Sequence, residues 1–204
     1  MMSNSKLSDA FQSSTAGIEH VTVPMTLPYD RLVSAFEAEL GHLDPAVTKA
    51  LVERRASWGE VEKEIERIGG VHGLMVIASA NQGVVTSLSG KMKRCLLYLI
   101  GNPVIADKII AIDVRASFYV PFRVAIFDRG NDGAVISYDR PSSFLAALGR
   151  PELNEFGNLL DQKIEGLIGA CERRHEALAK HGTLSASRRE LGAGLGVWAA
   201  EVIS

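Results

Sequence analysis

The chain has 204 residues, 47% of them hydrophobic and 23% charged, with 22 basic residues against 24 acidic and a formal net charge of −2. That balance excludes a protein built to neutralise nucleic-acid phosphates, and the apolar share excludes a disordered chain, leaving one ordinary soluble domain. Two cysteines, Cys95 and Cys171, do not make a disulfide framework and point to a reducing compartment.

Residues 1–16 are polar and Ser-rich and read as a flexible tail; they lack the apolar run of a secretory signal. No window reaches the roughly 18 consecutive apolar residues of a membrane span, so a cytoplasmic protein with no membrane partner is expected. His20–Met25 alternates and predicts a strand. A helix follows over 28–40, with Leu32, Phe36 and Leu40 on one face and Gly41 as a left-handed stop. Asp44-Pro45 starts a second helix to about Arg55, with Val47 and Leu51 turned inward. Ser57 to Glu60 forms a capping box ahead of the stripe Val61, Ile65, Ile68, and Gly69-Gly70 ends it.

Strands then dominate. Gly73–Ser79 and Val84–Leu88 read as a hairpin around Asn81-Gln82-Gly83, and Arg94–Gly101 as a third strand. Asn102-Pro103 opens a short helix carrying Ile105, Ile109 and Ile112. Ser117–Asp128 reads as a long strand and Ala134–Tyr138 as its hairpin partner. Pro151 opens the last helix. Its stripe of Leu153, Phe156, Leu160, Ile164, Leu167, Cys171, His175 and Leu178 keeps helical spacing throughout. The expected fold is α+β: an antiparallel sheet in β-α-β(4)-α order, extra N-terminal helices, and a long C-terminal helix packed on one sheet face. Residues 17–180 form the domain. Residues 181–204, with Trp198, form a tail docked on the domain or on a second copy.

The stretch LLYLIGNPVIADKIIAIDVRASFYVPFRVAIF, residues 96–127, resembles the family called domain of unknown function 302. The likeness lies in the Gly101-Asn102-Pro103 turn, the helix to Asp113, the Pro121-centred strand and the Tyr138–Ser143 stretch, over roughly residues 70–168. It implies a fold like that of the TATA-box-binding protein, commonly dimeric, and no settled activity. The helical segment between Asp44 and Gly70 departs from the family's short pattern. DNA binding does not come with the fold, given the acidic balance.

Chemistry is sparse. Five histidines lack the spacing of a zinc site. Cys171 and His175 share a helix face but sit in the core stripe. Haem needs one imidazole and a flat apolar slot, and His72 and His20, each at the start of a strand, are the candidate axial ligands. On the predicted long strand, Phe118, Val120, Phe122, Val124 and Ile126 form the core row. Tyr119, Arg123 and Phe127 on the other row set a guanidinium between aromatic rings, a surface suited to a flat or anionic ligand. The plainer alternatives are Arg123 paired to a nearby carboxylate, or a dimer interface. Asn102 reads as an ordinary helix cap. Gly192–Gly196 has phosphate-loop spacing but follows no strand, and neither cysteine has a neighbouring base. The favoured reading is a homodimer whose open sheet face holds an apolar or flat anionic ligand, haem being its sharpest form. Its rivals are a small enzyme using Arg123 and a histidine, and a ligand-free structural or regulatory dimer.

Overall fold

A computed structural model describes residues 15–90, 94–130 and 133–185, with side chains to residue 174. Strand β1, His20–Met25, leads into helix α1, Tyr29–Glu39, which buries Leu32 and Phe36 as its spacing requires. Gly41 is not a left-handed stop. With His42 it forms a two-residue strand, β2, parallel to the chain at Met75–Val76. Its backbone N–H and that of Gly70 both donate to the Leu74 carbonyl, at 2.9 and 3.1 Å, pressing two loops together. Glycine is needed there because a Cβ on Gly41 would meet the Ile68 carbonyl, and one on Gly70 the Glu39 carbonyl.

Helix α2, Pro45–Glu53, starts where Asp44 accepts from the Ala46 N–H at 2.8 Å. None of its residues is buried, so Val47 and Leu51 are only partly covered rather than core. Helix α3, Trp58–Ile68, carries the capping box. Glu60 accepts from the Ser57 N–H and hydroxyl, both at 2.8 Å, and from Arg54 at 2.6 Å. The Ser57 amide first, then its hydroxyl and the Arg54 guanidinium, hold the Glu60 carboxyl down at about 2, against an ordinary 4.5. A depressed carboxyl supports the fold fully above its unfolded value and loses that support as pH falls through the folded one. A carbon-13 titration of Glu60 is therefore expected to have its midpoint near 2, with fraying of α3 between pH 4.5 and 2; a midpoint near 4.5 would refute the cap.

Strand β3, Met75–Asn81, does not turn into a hairpin strand. Asn81 accepts from the Gly83 N–H, and Gln82–Thr86 winds into helix α4, followed by a 3-10 turn at Ser87–Ser89. The hydroxyls of Thr86, Ser87 and Ser89 bond back to carbonyls three or four residues earlier. These local bonds outcompete a strand whose Val84, Val85 and Leu88 bury nothing. Strand β4, Cys95–Gly101, and helix α5, Pro103–Ile112, follow. Asn102 caps α5 by accepting from Val104 and Ile105, and its amide donates to the Gly73 carbonyl.

The long strand is shorter than its sequence suggests. Asp113 accepts from the Arg115 N–H and starts a 3-10 turn at Val114–Phe118; β5, Phe122–Asp128, begins only after the cis Val120–Pro121 bond. A proline has no N–H to give a central ladder, so the strand cannot extend back through it. Phe118, expected in the core row, is 84% exposed. Strand β6, Ala134–Asp139, helix α6, Pro141–Ala146, and a 3-10 turn at Pro151–Leu153 precede helix α7, Asn154–Ser185.

The sheet order is β1-β6-β5-β4-β3-β2, antiparallel except for β2 against β3. Helices α1 and α7 pack against each other, and the buried cluster joins their apolar stripes to Tyr98, Ile100, Phe122, Val124, Ile126, Ile136 and Tyr138. The α+β fold with a long helix sealing one sheet face is thus observed, with β2 added to the expected order. Residues 1–14 and 186–204 lie outside the described residues, as does Trp198; α7 runs on to Ser185, past the expected start of the tail. Among the described residues no helix is long and apolar enough to cross a membrane.

Candidate functional site

Side chains alternate along each strand, so Arg123, Ala125 and Phe127 of β5 point away from the helices. Across the ladder they stand beside Leu97 and Leu99 of β4 and Ser137 and Asp139 of β6. At the end of this face where β5 begins lies a cleft of about 380 Å3. Leu99, Arg123 and Asp139 contribute from the sheet, Phe118 from the end of the 3-10 turn, Tyr119 and Pro121 from the short link between that turn and β5, and Phe144 from α6. Two of the three expected ligand residues meet here. Tyr119 comes from the link rather than the strand, its ring stacked on Phe144 with centroids 5.3 Å apart and planes 7° apart. Phe118 stands edge-on to it at 5.3 Å. Phe127 does not line the cleft; it pairs with Cys95 and Val135 near the other end of β5, roughly 13 Å away along the strand.

Arg123 is exposed and pairs with Asp139 at 3.5 Å, the carboxylate partner weighed as the plainer reading. Asp139 was missed by sequence reasoning. It lies in the Tyr138–Ser143 stretch, but only the β5–β6 register sets it beside Arg123. Its second oxygen takes His20 Nδ1 at 2.9 Å, and His20 Nε2 lies 2.8 Å from the Ser137 hydroxyl. Ser137 Oγ is also 3.2 Å from the Val21 carbonyl and 3.4 Å from the Thr22 hydroxyl. None of these contacts was visible in the sequence, because β1 and β6 are joined across more than a hundred residues.

The two candidate haem ligands are not brought together, since three strands separate β1 from β3. Both ring nitrogens of His20 are engaged. The His72 ring rests on Gly166 of α7, where a Cβ would come within 2.9 Å of it, and its Nε2 is buried without a hydrogen-bond partner. Lys163 of α7 donates to the His72 carbonyl at 2.7 Å, and burial lowers the Lys163 pKa. With neither imidazole offering a free nitrogen to open space, these residues do not fit axial ligation of haem. Among the described residues no three His, Cys, Asp or Glu side chains gather as a metal site. Burial pushes the Cys171 thiol up to about 12, in keeping with its place in the core stripe; the His175 side chain lies outside those described. Gly192–Gly196 also falls outside the described residues.

A second, smaller cavity of about 200 Å3 is almost wholly apolar. It lies beneath the first turns of α5, lined by Ile105, Ala106, Ile109 and Leu160, and Pro121 borders both spaces.

The fold resembles the crystal structure of an uncharacterized conserved DUF302 protein from Bacillus stearothermophilus. That chain is 12% identical with a TM-score of 0.53, over 74% of this chain and 97% of the other. No curated protein matches the sequence. The family model covers residues 49–171, so it takes in part of α2 and all of α3 and reaches further toward the N-terminus than the resemblance through residues 70–168. Since that match spans more than half of the 204 residues, the chain belongs to the family described as domain of unknown function DUF302.

Proposed function

We propose that this protein is a homodimeric binding protein whose cleft beside the open sheet face holds a small, flat, anionic ligand. The supporting observation is the exposed Arg123 guanidinium at the mouth of a pocket walled by Phe118, Tyr119 and Pro121. Rings offer stacking area and the guanidinium offers a two-pronged donor to a carboxylate, the combination that planar anions select. A ligand carboxylate closer than 3.5 Å would compete well with Asp139, because the existing pair is long and open to water. The second copy would cover the half-exposed Leu97, Leu99 and Ala125 in the middle of the same face.

Titration calorimetry with naphthoate, and with neutral naphthol as its control, tests the reading. Naphthoate is expected to bind saturably and naphthol more weakly, and Arg123→Ala should weaken naphthoate by roughly 10- to 100-fold, the worth of one charged hydrogen bond. Sedimentation of the same samples should give twice the chain mass. Equal binding of the acid and the alcohol, or an unchanged Arg123→Ala, would refute the anion site; a single-chain mass would refute the dimer. Hemin, a larger flat dicarboxylate, belongs in the same panel: it should bind through its carboxylates without the spectrum of a histidine-ligated iron.

A further inference from the structure

Asp139, His20 and Ser137 form one hydrogen-bonded chain on the open sheet face, and Asp139 is the member that also lines the cleft. A carboxylate only accepts, so the 2.9 Å contact with Asp139 Oδ1 fixes a proton on His20 Nδ1. In the neutral ring Nε2 is then a lone pair, and the only proton available to the 2.8 Å contact with Ser137 is that of the serine hydroxyl. Arg123 lies 3.5 Å from the other Asp139 oxygen. Strand pairing supplies the geometry: His20 lies opposite Asp139, and Ser137 is two residues back along β6 on the same face. The network has a buried end, where Ser137 is only 7% exposed and its hydroxyl also lies within donating distance of the Val21 carbonyl at 3.2 Å, and a solvent-exposed end at the His20 imidazole.

We propose that Ser137 is a nucleophile, with His20 as its general base and Asp139 as the positioning residue, acting on small carboxylic esters. The Ser137 hydroxyl oxygen attacks the ester carbonyl carbon as its proton passes to His20 Nε2. The carbon–oxygen bond to the alcohol then breaks, and the departing alkoxide takes that proton. Water attacks the resulting acyl-serine, giving one proton to Nε2; Ser137 leaves as the acid forms and regains its proton from the ring. Ester and water become acid and alcohol, with no further reactant. The Thr22 hydroxyl, 3.4 Å from Ser137 Oγ, is a side-chain hydroxyl beside the reacting serine that could turn its proton toward the oxygen that gains charge. The same chain order, Asp–His–Ser by contact, recurs on unrelated folds, so its lack of a strand-to-helix nucleophile turn does not count against it.

The test is nitrophenyl acetate hydrolysis by the full chain, with a fluorophosphonate as a covalent probe. Wild-type protein should release a burst of nitrophenolate, carry an acetyl group on Ser137 in peptide mass spectra, and bind the fluorophosphonate at the same residue. Ser137→Ala should fall to the rate of buffer, and His20→Gln should slow both acylation and labelling by about 100-fold. Asp139→Asn, which can donate to Nδ1 and favours the wrong tautomer, should do likewise. Absence of any adduct on Ser137 in folded wild-type protein overturns the proposal, as does labelling that His20→Gln leaves unchanged. Because the adduct is read on wild-type protein, a variant that fails to fold does not blur the result. The assay contains no naphthoate, so its failure leaves the anion site standing.

Discussion

Alanine at Gly41 or Gly70 is expected to destabilise the protein by about 3 kcal/mol, the upper range for forcing atoms into a packed region. Neither glycine has a left-handed backbone, so conformational freedom is not the reason. The reason is proximity. Each Cβ would press on a carbonyl oxygen of the opposing loop, and both loops are tied to the Leu74 carbonyl, so neither backs away without losing a hydrogen bond. Gly59, in the first turn of α3, is the control: nothing lies within 4 Å of its missing Cβ. Alanine there should be neutral or stabilise by about 0.5–1 kcal/mol through helix propensity. Urea midpoints for the three variants decide the matter. Equal midpoints would mean that the two loops are not in the register described.

The second large effect lies on α7. Leu160, Ile164, Leu167 and Cys171 stand at three- and four-residue steps and are at most 2% exposed, facing α1 and the sheet. Leu167→Ala removes buried methyl groups and leaves a cavity that packed neighbours fill poorly, which costs about 3 kcal/mol. Leu159, one position off the stripe and 38% exposed, should cost about 0.5 kcal/mol or less as alanine. A contrast of that size in thermal or urea unfolding follows from a helix with one dry face. Similar losses at both positions would mean α7 is turned about its axis.

What could be read from the chain alone followed the range of the interactions involved. Caps and stripes are local, so Asp44, the Ser57–Glu60 box, Asn102 and the α7 pattern announced themselves through residues at most a few turns apart. Val84–Leu88 misled because β-branched residues favour strands, whereas the deciding bonds there run from Thr86, Ser87 and Ser89 hydroxyls to nearby carbonyls. Ser117–Asp128 misled because alternation was carried through Pro121. Tyr119 reached the site all the same, delivered by a short link in place of a strand, while Phe127 kept its side of the sheet and missed the cleft. Asp139, Ser137 and His20 are a product of long-range register, 119 residues apart for the first contact, and no local pattern announces that. The two-residue β2 is too short to carry any pattern at all.

Strand β1 has one neighbour, β6, which is the last in chain order of the strands among the described residues. Loop closure over such a span comes late in folding, after the hairpin of β5 and β6 offers an edge. The serine, the aspartate and the imidazole therefore share no contact in a nascent chain that stops at β5. Whatever chemistry they support is withheld until β6 has been made and has paired with β1, and a fragment that lacks either strand loses it whole.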